Sequence, residues 1–317
     1  MSSFALIGAA GYVAPRHMRA IKDTENELVA ALDPNDSVGV IDSFFPSAHF
    51  FTEFERFDRH IDKLRRHKNS KSIDYFTICS PNYLHDSHVR FALRSGADAI
   101  CEKPLVLNPW NIDGLKEIES DTGKRIHTIL QLRLHPSIIR LKQDVALAKA
   151  DKKHDVELTY ITSRGRWYMN SWKGDVRKSG GIATNIGVHF FDMLHYIFGS
   201  VQKSTVHSCS ESTSSGLIEY ENARVRWFLS IDSAYIPDEI LAKGQRTYRS
   251  ITVDTKEVEF SDGFTDLHTQ SYQKILDNKG FGLEDNRTAI ETVADIRNAS
   301  PVGLQGDYHP FLKISPS

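Results

Sequence analysis

The order of apolar and polar positions in the first part of the chain alternates between two kinds of segment. Short apolar runs have the length of buried strands, and longer segments with apolar residues every three or four positions are typical of amphipathic helices. This alternation predicts one parallel, doubly wound sheet. The predicted strands are 4–7, 28–33, 49–52, 74–79, 97–101 and 125–132, and the predicted helices are 15–22, 55–67, 84–95 and 111–122.

The second part of the chain has a different pattern. After a predicted helix at 135–150, alternating apolar and polar residues predict strands with few helices between them, which favours an antiparallel or mixed sheet. We therefore expect an α/β chain with a doubly wound domain at 1–127 and, at 128–317, an α+β domain with an open, mostly antiparallel sheet. The predicted strands are 156–163, 204–207, 217–220, 223–231 and 249–253, with helices ending near 198 and spanning 283–298.

A glycine-containing turn follows the first strand. Gly8 and Gly11 let the backbone turn sharply, and the helix after the turn directs its positive end toward a phosphate. Strand, glycine turn and helix in this order open the βαβ unit of a dinucleotide-binding Rossmann domain. Alanine stands at both outer positions of the three-glycine pattern, so an ordinary structural turn stays the alternative. The expected cofactor contacts are Gly8, Gly11, Tyr12 and Val13.

The second strand ends in a carboxylate. Asp33 lies 22 residues after Gly11, close to the ~20 residues expected for the acid that binds the adenosine ribose. No Lys or Arg follows directly to neutralise a 2′-phosphate, so Asp33 favours NAD over NADP. The alternative is structural, because aspartate commonly begins a turn.

The fourth and fifth strands end in residues suited to the nicotinamide side of a cofactor. Ligands bind at the carboxyl ends of such strands, and the fifth strand runs into Glu102, Lys103 and a proline that fixes the local backbone. Lys103 is therefore either a catalytic group or a surface charge at a strand end. The fourth strand is followed by Ser80-Pro81-Asn82 and by His85, for which a surface position is the alternative.

A helix that opens with Gly180-Gly181 carries polar side chains on a face of its own. At about 100° per residue, Asn185, His189 and Asp192 fall at i, i+4 and i+7, away from the apolar face. Three stacked polar groups are typical of a site wall, although a lone histidine is more often structural. Further ligands are not close in sequence, so no metal is predicted.

A cationic and aromatic segment precedes this helix. Its cations can pair with phosphate or carboxylate groups, and its aromatic rings can stack on a base or a sugar. A solvated loop is the alternative for a run of charges. The segment contains Arg164, Arg166, Trp167, Tyr168, Trp172 and Lys173.

Composition disfavours several classes of function. The chain has 317 residues, 40% hydrophobic and 25% charged, and its net charge of −2 gives no basic field for nucleic acid or a membrane surface. The cations at 65–68 are explained as the end of a helix. Three cysteines without a CxxC pair, no apolar run of ~18 residues and no targeting signal predict a soluble cytoplasmic protein.

Over nearly its whole length, the chain resembles the glucose–fructose oxidoreductase/inositol dehydrogenase family. That family pairs Glu-Lys-Pro at a Rossmann strand end with a Gly-Gly…Asp-x-Gly-x-His-x-x-Asp helix, matched here by 102–104 and 180–192. The run 80–82 with His85 matches its nicotinamide-side loop. Asn185 stands where most members carry aspartate, so the resemblance implies that Asn185 orients a hydroxyl.

The resemblance implies NAD-dependent oxidation of a ring hydroxyl. His189 would take the proton while hydride passes to the nicotinamide. Lys103 would position the hydroxyl, stabilise the developing negative charge and contact the cofactor together with Glu102.

A narrower resemblance is to the bacterial UDP-N-acetylglucosaminuronate 3-dehydrogenases of surface-polysaccharide (O-antigen) synthesis. It rests on 166–175 and on the run 264–269 with Tyr272. It implies a UDP-sugar acid as substrate, 2-oxoglutarate as the oxidant that restores NAD, and a homotetramer. The implied substrate contacts are Arg164, Arg166, Trp167, Tyr168, Trp172, Lys173, Asn185, His189, His268 and Tyr272.

Two other functions stay open. A dehydrogenase of a free sugar or inositol would share the motifs but would need few cations. A non-catalytic NAD-binding sensor could use the same fold, although the presence of both Lys103 and His189 argues against it.

Overall fold

The structure, a computed structural model, describes residues 1–67, 71–148, 152–258 and 266–313. Strands and helices alternate in the first part of the chain, as the hydrophobic pattern predicts. In chain order they are β1 (Ser3–Ile7), α1 (Ala14–Asp23), β2 (Glu27–Leu32), β3 (His49–Phe51), α2 (Phe54–Arg66), β4 (Tyr75–Ile78), α3 (His85–Arg94), β5 (Asp98–Cys101), α4 (Pro109–Thr122) and β6 (Ile126–Thr128).

Strands dominate the second part. Its elements are α5 (Pro136–Leu147), β7 (His154–Thr162), α6 (Val176–Ser179), α7 (Val188–Phe198), β8 (Val201–Cys209), β9 (Thr213–Tyr220), β10 (Ala223–Ser230), α8 (Asp238–Leu241), β11 (Thr247–Val253), β12 (Lys256–Glu257), α9 (Leu267–Leu276) and α10 (Leu283–Asn298).

The first sheet is parallel throughout and has the order β3-β2-β1-β4-β5-β6. All five residues of β1 are buried, as expected for a strand covered by helices on both faces. The strands β2 and β3 lie on one side of β1, and β4, β5 and β6 lie on the other. Doubly wound sheets bind ligands at this switch point, between β1 and β4. The residues that follow β1, β4 and β5 are therefore the candidates for cofactor contacts.

The second sheet is mixed and mostly antiparallel, with the order β12-β11-β7-β10-β9-β8. Among the described residues of this sheet, β7 and β10 pair in parallel and the other neighbouring strands pair antiparallel. The predicted fold class, a Rossmann domain followed by an α+β domain with an open, mostly antiparallel sheet, is confirmed.

The chain folds into two compact units and enters each of them twice. One unit contains Met1–Gln131 and Thr265–Arg287, and the other contains Leu132–Phe264 and Thr288–Ser317. The predicted division into 1–127 and 128–317 has one boundary, whereas here the chain comes back to the first unit at Thr265–Arg287. The return has a physical reason: α9 packs along α1 and adds Tyr272 and Ile275 to the apolar core of the first unit.

Several elements differ from the predicted ones. The sequence pattern did not indicate α9, and the strand predicted at 125–132 is only three residues long before a 3₁₀ turn at Gln131–Leu134. The predicted helix ending near residue 198 begins as a π-helical turn, Ala183–Gly187, before α7. Residues 149 and 150, at the end of another predicted helix, lie outside the described residues. Within the described ranges, no helix has the length and apolar character needed to cross a membrane.

Candidate active site

The glycine turn after β1 lies against the end of β4. Gly8 has φ +91°, and a Cβ at this position would lie 2.6 Å from the carbonyl carbon of Cys79. A Cβ on Gly11 would lie 3.1 Å from the carbonyl oxygen of Gly8. Glycine is therefore required at the first position by conformation and space, and it is favoured at the second by close contact.

The turn presents main-chain donors at the start of α1. The N–H groups of Tyr12 and Val13 donate no hydrogen bond to any other described residue, and Tyr12 is 90% exposed. The first turn of α1 contains no acidic residue. Free N–H groups at the positive end of a helix suit a phosphate group, so these residues fit the pyrophosphate of a dinucleotide.

Asp33, directly after β2, ties the glycine turn to the next turn. Its Oδ2 accepts a hydrogen bond from the N–H of Ala10 (2.9 Å), and its Oδ1 accepts from the N–H and side chain of Asn35 (2.9 and 3.2 Å). Each carboxylate oxygen has two acceptor sites. Oδ2 therefore keeps one acceptor site for a ribose hydroxyl, as the predicted role requires.

The loop after β4 is held by two histidines. Ser80 Oγ lies 2.8 Å from His88 Nδ1, and the next residues, Pro81 and Asn82, lead into a 3₁₀ turn. His85 is buried, so the alternative of a surface histidine is wrong. Its Nδ1 lies 2.7 Å from the carbonyl oxygen of Pro104 and its Nε2 lies 2.8 Å from that of Ser80.

His85 therefore connects the ends of β4 and β5. Burial lowers the pKa of this histidine, while the two carbonyl oxygens raise it. A neutral imidazole carries one N–H and can donate to only one of the two carbonyls, whereas the imidazolium can donate to both. The connection is thus complete only in the protonated ring.

Glu102 and Lys103 follow β5 directly. Glu102 is buried, and its Oε2 accepts a hydrogen bond from the main-chain N–H of Lys103 (3.2 Å). Burial raises the pKa of Glu102, but hydrogen bonds from His17 and His268 outweigh this effect and hold that pKa well below its usual range. Glu102 is therefore an ionised carboxylate.

The structure places His268 and Tyr272 in a buried network of the first unit. His268 Nε2 lies 3.2 Å from Glu102 Oε1, and the hydroxyl of Tyr272 is shared between His17 (2.9 Å) and Thr77 (2.7 Å). The predicted role of both residues was substrate contact; here their polar atoms bond to side chains of their own unit. Phe264 and Thr265, part of the same sequence motif, lie outside the described residues.

Sequence reasoning did not single out His17. It lies on the buried face of α1 with Ala14, Met18 and Ile21, which recur at the spacing of an apolar helix face. The sequence does place a histidine on the apolar face of this helix. A buried polar side chain needs a hydrogen-bond partner, so this position could have been recognised as part of a polar network.

In the second unit, Asn185 lies in the π-helical turn and His189 lies in the first turn of α7. The side chain of Asn185 donates a hydrogen bond to the hydroxyl of Tyr168 (2.6 Å). A Cβ on Gly187 would lie 2.5 Å from Leu229 of β10, so glycine lets this turn approach the sheet. Because a π turn contains more residues than an α turn, the predicted spacing of 100° per residue does not apply here.

Asp192 has a structural partner. Its carboxylate accepts hydrogen bonds from Nε and Nη2 of Arg133, with a shortest distance of 2.7 Å, and both side chains are buried. This bidentate ion pair connects α7 to the 3₁₀ turn before α5. No local pattern pointed to Arg133, which lies between Leu132 and Leu134.

The cationic and aromatic segment of the second unit is partly ordered by its own contacts. The ammonium of Lys173 lies 4.3 Å from the ring centre of Trp172 and 5.7 Å from that of Trp167, both within cation–π range. Burial, with Arg164 nearby, lowers the pKa of Lys173. Arg164 and Arg166 are exposed. The segment therefore offers cations and an aromatic surface to an anionic ligand.

One group of side chains among the described residues has the composition of a metal site. The ligand atoms of His17, Glu102 and His268 all lie within 4.8 Å of one another. Both imidazole Nε2 atoms are already within hydrogen-bond distance of Glu102 Oε1. These contacts satisfy the three atoms without an ion.

Two models of one protein family match the chain. Residues 2–129 match an oxidoreductase family with an NAD-binding Rossmann fold, and residues 152–239 match the C-terminal alpha/beta domain of that family.

Solved structures of the WlbA (WbpB) dehydrogenase from Thermus thermophilus are similar over almost the whole chain. The complex with NAD and alpha-ketoglutarate is 51% identical, covers 98% of this chain and 100% of that chain, and has a TM-score of 0.93. The complex with NAD and UDP-GlcNAcA is 50% identical, with the same coverage and TM-score.

A curated relative matches over a shorter region. Inositol 2-dehydrogenase of Rhizobium meliloti (strain 1021) is 27% identical over 128 residues. The match covers 40% of this chain and 37% of that enzyme, so it spans little more than a third of the relative's length.

Proposed function

Because the chain belongs to the GFO/IDH/MocA family of NAD-dependent oxidoreductases, we propose that it oxidises the 3-hydroxyl of UDP-N-acetylglucosaminuronate to the 3-keto sugar. The observation that carries this proposal is 50% identity, over 98% of the chain, to a dehydrogenase crystallised with NAD and UDP-GlcNAcA. The geometry of each unit supports a separate part of it.

The first unit has the features that NAD binding needs. The N–H groups of Tyr12 and Val13 suit the pyrophosphate, and Asp33 offers an acceptor to the adenosine ribose. We assign Gly8, Gly11, Ser80-Pro81-Asn82 and Glu102 to the framework that supports these contacts. Bound NAD supplies the chemistry of hydride acceptance.

The second unit has the features that a nucleotide-sugar acid needs. A diphosphate and a carboxylate are costly to bury unless cations pair with them. Arg164, Arg166 and Lys173 supply those cations, and the exposed ring of Trp167 supplies a surface for the uracil or the sugar. A free sugar or inositol would need almost none of these charges.

The catalytic roles follow from the chemistry of the side chains. His189 takes the proton of the 3-hydroxyl as hydride leaves C3. Lys103 donates to the same oxygen and stabilises its developing negative charge. Asn185, held by Tyr168, orients the hydroxyl by hydrogen bonding but cannot itself accept a proton as an aspartate would.

The cofactor is restored by 2-oxoglutarate. The keto carbon of this acid accepts the hydride from NADH and its oxygen accepts a proton, which gives 2-hydroxyglutarate and NAD. Complexes of the Thermus thermophilus enzyme with NAD and either alpha-ketoglutarate or UDP-GlcNAcA support this second half-reaction.

We also propose a cellular setting. The enzyme acts in the cytoplasm as a homotetramer, in the synthesis of a surface polysaccharide such as O-antigen. The buried thiols of Cys79 and Cys101 form no disulfide, which fits a reducing compartment. The proposal of a tetramer rests on the family resemblance. Light scattering of the purified enzyme tests the tetramer directly.

The substrate experiment uses the purified holoenzyme. UDP-N-acetylglucosaminuronate should be consumed slowly until 2-oxoglutarate is added, and 2-hydroxyglutarate should then form in an amount equal to the 3-keto sugar. Faster oxidation of glucose or myo-inositol would replace the proposed substrate with a free polyol. Tight NADH binding without any oxidation would favour the sensor instead.

A further inference from the structure

The carboxylate of Glu102 is the centre of a buried hydrogen-bond network. Its Oε1 lies 2.9 Å from His17 Nε2 and 3.2 Å from His268 Nε2, and its Oε2 accepts from the N–H of Lys103. His17 is fully buried, and Glu102 and His268 are nearly so. An ionised carboxylate only accepts, so both imidazoles must donate from Nε2.

The protons in the rest of the network follow from this one constraint. Burial lowers the pKa of His17, so its ring is neutral, and with the proton on Nε2 its Nδ1 must accept. Nδ1 therefore accepts from the hydroxyl of Tyr272, and that hydroxyl accepts from Thr77 of β4. Every donor along this path has an acceptor, which fixes one arrangement of protons.

The network joins segments that are far apart in sequence. His17 lies on α1, Thr77 on β4 and Glu102 directly after β5, whereas His268 and Tyr272 lie on α9. Glu102 links this network to Lys103, because its Oε2 accepts a hydrogen bond from the lysine main chain. Any change that turns the carboxylate therefore moves the backbone that carries Lys103.

We propose that His17, His268 and Tyr272 are positioning residues, which hold the ionised Glu102 and through it fix the main chain of Lys103 for catalysis. The proposal rests on the proposed function, because it assigns Lys103 a place in the reaction. Misplacement of a catalytic group by about 1 Å costs roughly 10²-fold in rate, so loss of this support should appear in kcat. The cofactor contacts of Tyr12, Val13 and Asp33 involve none of these residues, so the affinity for NADH should change little.

Tyrosine variants give a matched test. Tyr272 and Tyr75 both stack on Phe4, with ring centres 5.9 and 5.0 Å away, but only Tyr272 bonds to the network. Tyr272→Phe leaves His17 Nδ1 without a donor and should lower kcat roughly tenfold, the value of one hydrogen bond. Tyr75→Phe should leave kcat unchanged. Glu102→Gln, which cannot accept from both histidines and Lys103 together, should lower kcat by about 10²-fold.

A spectroscopic measurement makes the test independent of turnover. In ¹⁵N NMR of the holoenzyme near neutral pH, the His17 ring should be neutral with its proton on Nε2, and Tyr272→Phe should perturb that signal while Tyr75→Phe does not. The affinity for NADH should stay within a small factor of wild type in Tyr272→Phe and in Tyr75→Phe, neither of which alters a residue assigned to the cofactor.

Three results would overturn the proposal. They are an unchanged kcat in both Tyr272→Phe and Glu102→Gln, a fall in NADH affinity that parallels the fall in kcat, and an equivalent of zinc that stays with the dialysed holoenzyme. The last would show that His17, Glu102 and His268 hold a metal. If the wild type does not oxidise the UDP-sugar acid, the proposed function fails, and the His17 signals in wild type and Tyr272→Phe still decide whether the network exists.

Discussion

At the scale of single residues, candidate cofactor and catalytic groups also hold the backbone around them. Asp33, the proposed acceptor for the ribose, also accepts a hydrogen bond from the N–H of Ala10 in the glycine turn. Glu102 binds the N–H of Lys103. A substitution at either carboxylate therefore changes a charge and also the geometry of a neighbouring main chain, and the two effects must be separated by experiment.

Lys103 should act in the chemical step. Lys103→Met should lower kcat by about 10²–10⁴-fold, the range typical of a lost acid–base group, with little change in the dissociation constant of NADH. Lys116→Met is a suitable control, because Lys116 is an exposed lysine of the same unit that pairs with Glu284. Turnover of Lys103→Met near the wild-type rate would contradict the role.

Asp33 should select NAD, and its removal should not simply convert the enzyme to NADP. A carboxylate about 4 Å from a 2′-phosphate costs up to ~4 kcal/mol per unit charge at an effective dielectric near 20. Asp33→Asn removes this repulsion but also weakens the hydrogen bonds to Ala10 and Asn35. We therefore expect weaker NADH binding together with tighter NADPH binding, measured by fluorescence titration. Asp36→Asn, an exposed acid of the same turn, should change neither; equal affinities in the wild type would refute the selection.

At the scale of elements, the sequence predicted those whose pattern is local. The apolar run of β1 and the amphipathic spacing of α10 were sufficient to predict both elements. The helix α9 was missed because its buried residues contact residues far away in sequence. Tyr272, for example, bonds to His17 near the start of the chain. The π turn at Asn185 was missed because an amphipathic pattern assumes a regular α-helix.

The sequence indicated which residue types could belong to a site, but it did not indicate which side chains contact one another. His189 and Lys103 stood out because imidazole and ammonium groups followed recognisable motifs. Asp192 was grouped with the polar face of its helix, yet the structure pairs it with Arg133, 59 residues away. Long-range ion pairs leave no periodic signal, so only the fold could reveal this one.

The Arg133–Asp192 pair should hold α7 in place. Because both side chains are buried, removal of one charge leaves the other uncompensated, and Asp192→Asn or Arg133→Met should each cost about 3–5 kcal/mol in the free energy of unfolding. Replacing both residues by apolar ones should recover part of this loss. The exposed pair Lys71–Glu27 is the control, for which Lys71→Met should cost about 0–1 kcal/mol in urea denaturation. Equal losses at the two pairs would contradict the assignment.

At the scale of the whole molecule, buried neutral histidines make stability sensitive to acid. Burial lowers the pKa of His17, and it lowers those of His88 and His309 to about 4 and about 3. In the unfolded chain these groups titrate near 6.5, so between that pH and their folded values the unfolded state binds more protons. Their contribution to stability is therefore complete above pH ~6.5 and is lost as the pH falls.

This predicts that the free energy of unfolding, measured by urea denaturation, declines steadily between about pH 6.5 and pH 5. The depressed pKa of Glu102 adds a second loss below about pH 4.5. His88→Gln should make the first decline shallower. Stability that is constant or rises on acidification through this range would contradict the assignment of neutral buried rings.

The return of α9 to the first unit has a consequence for the order in which the protein is made. The N-terminal segment leaves the ribosome first, and domains commonly fold as units as they emerge. Here the first unit lacks Tyr272 and His268, one of the two histidine partners of Glu102, until most of the second unit has been synthesised. The nascent cofactor domain must therefore wait for a late helix, and in a truncated translation product Glu102 would keep His17 but lack its second histidine donor. Completion of the chain is in this way coupled to completion of the nucleotide-binding unit.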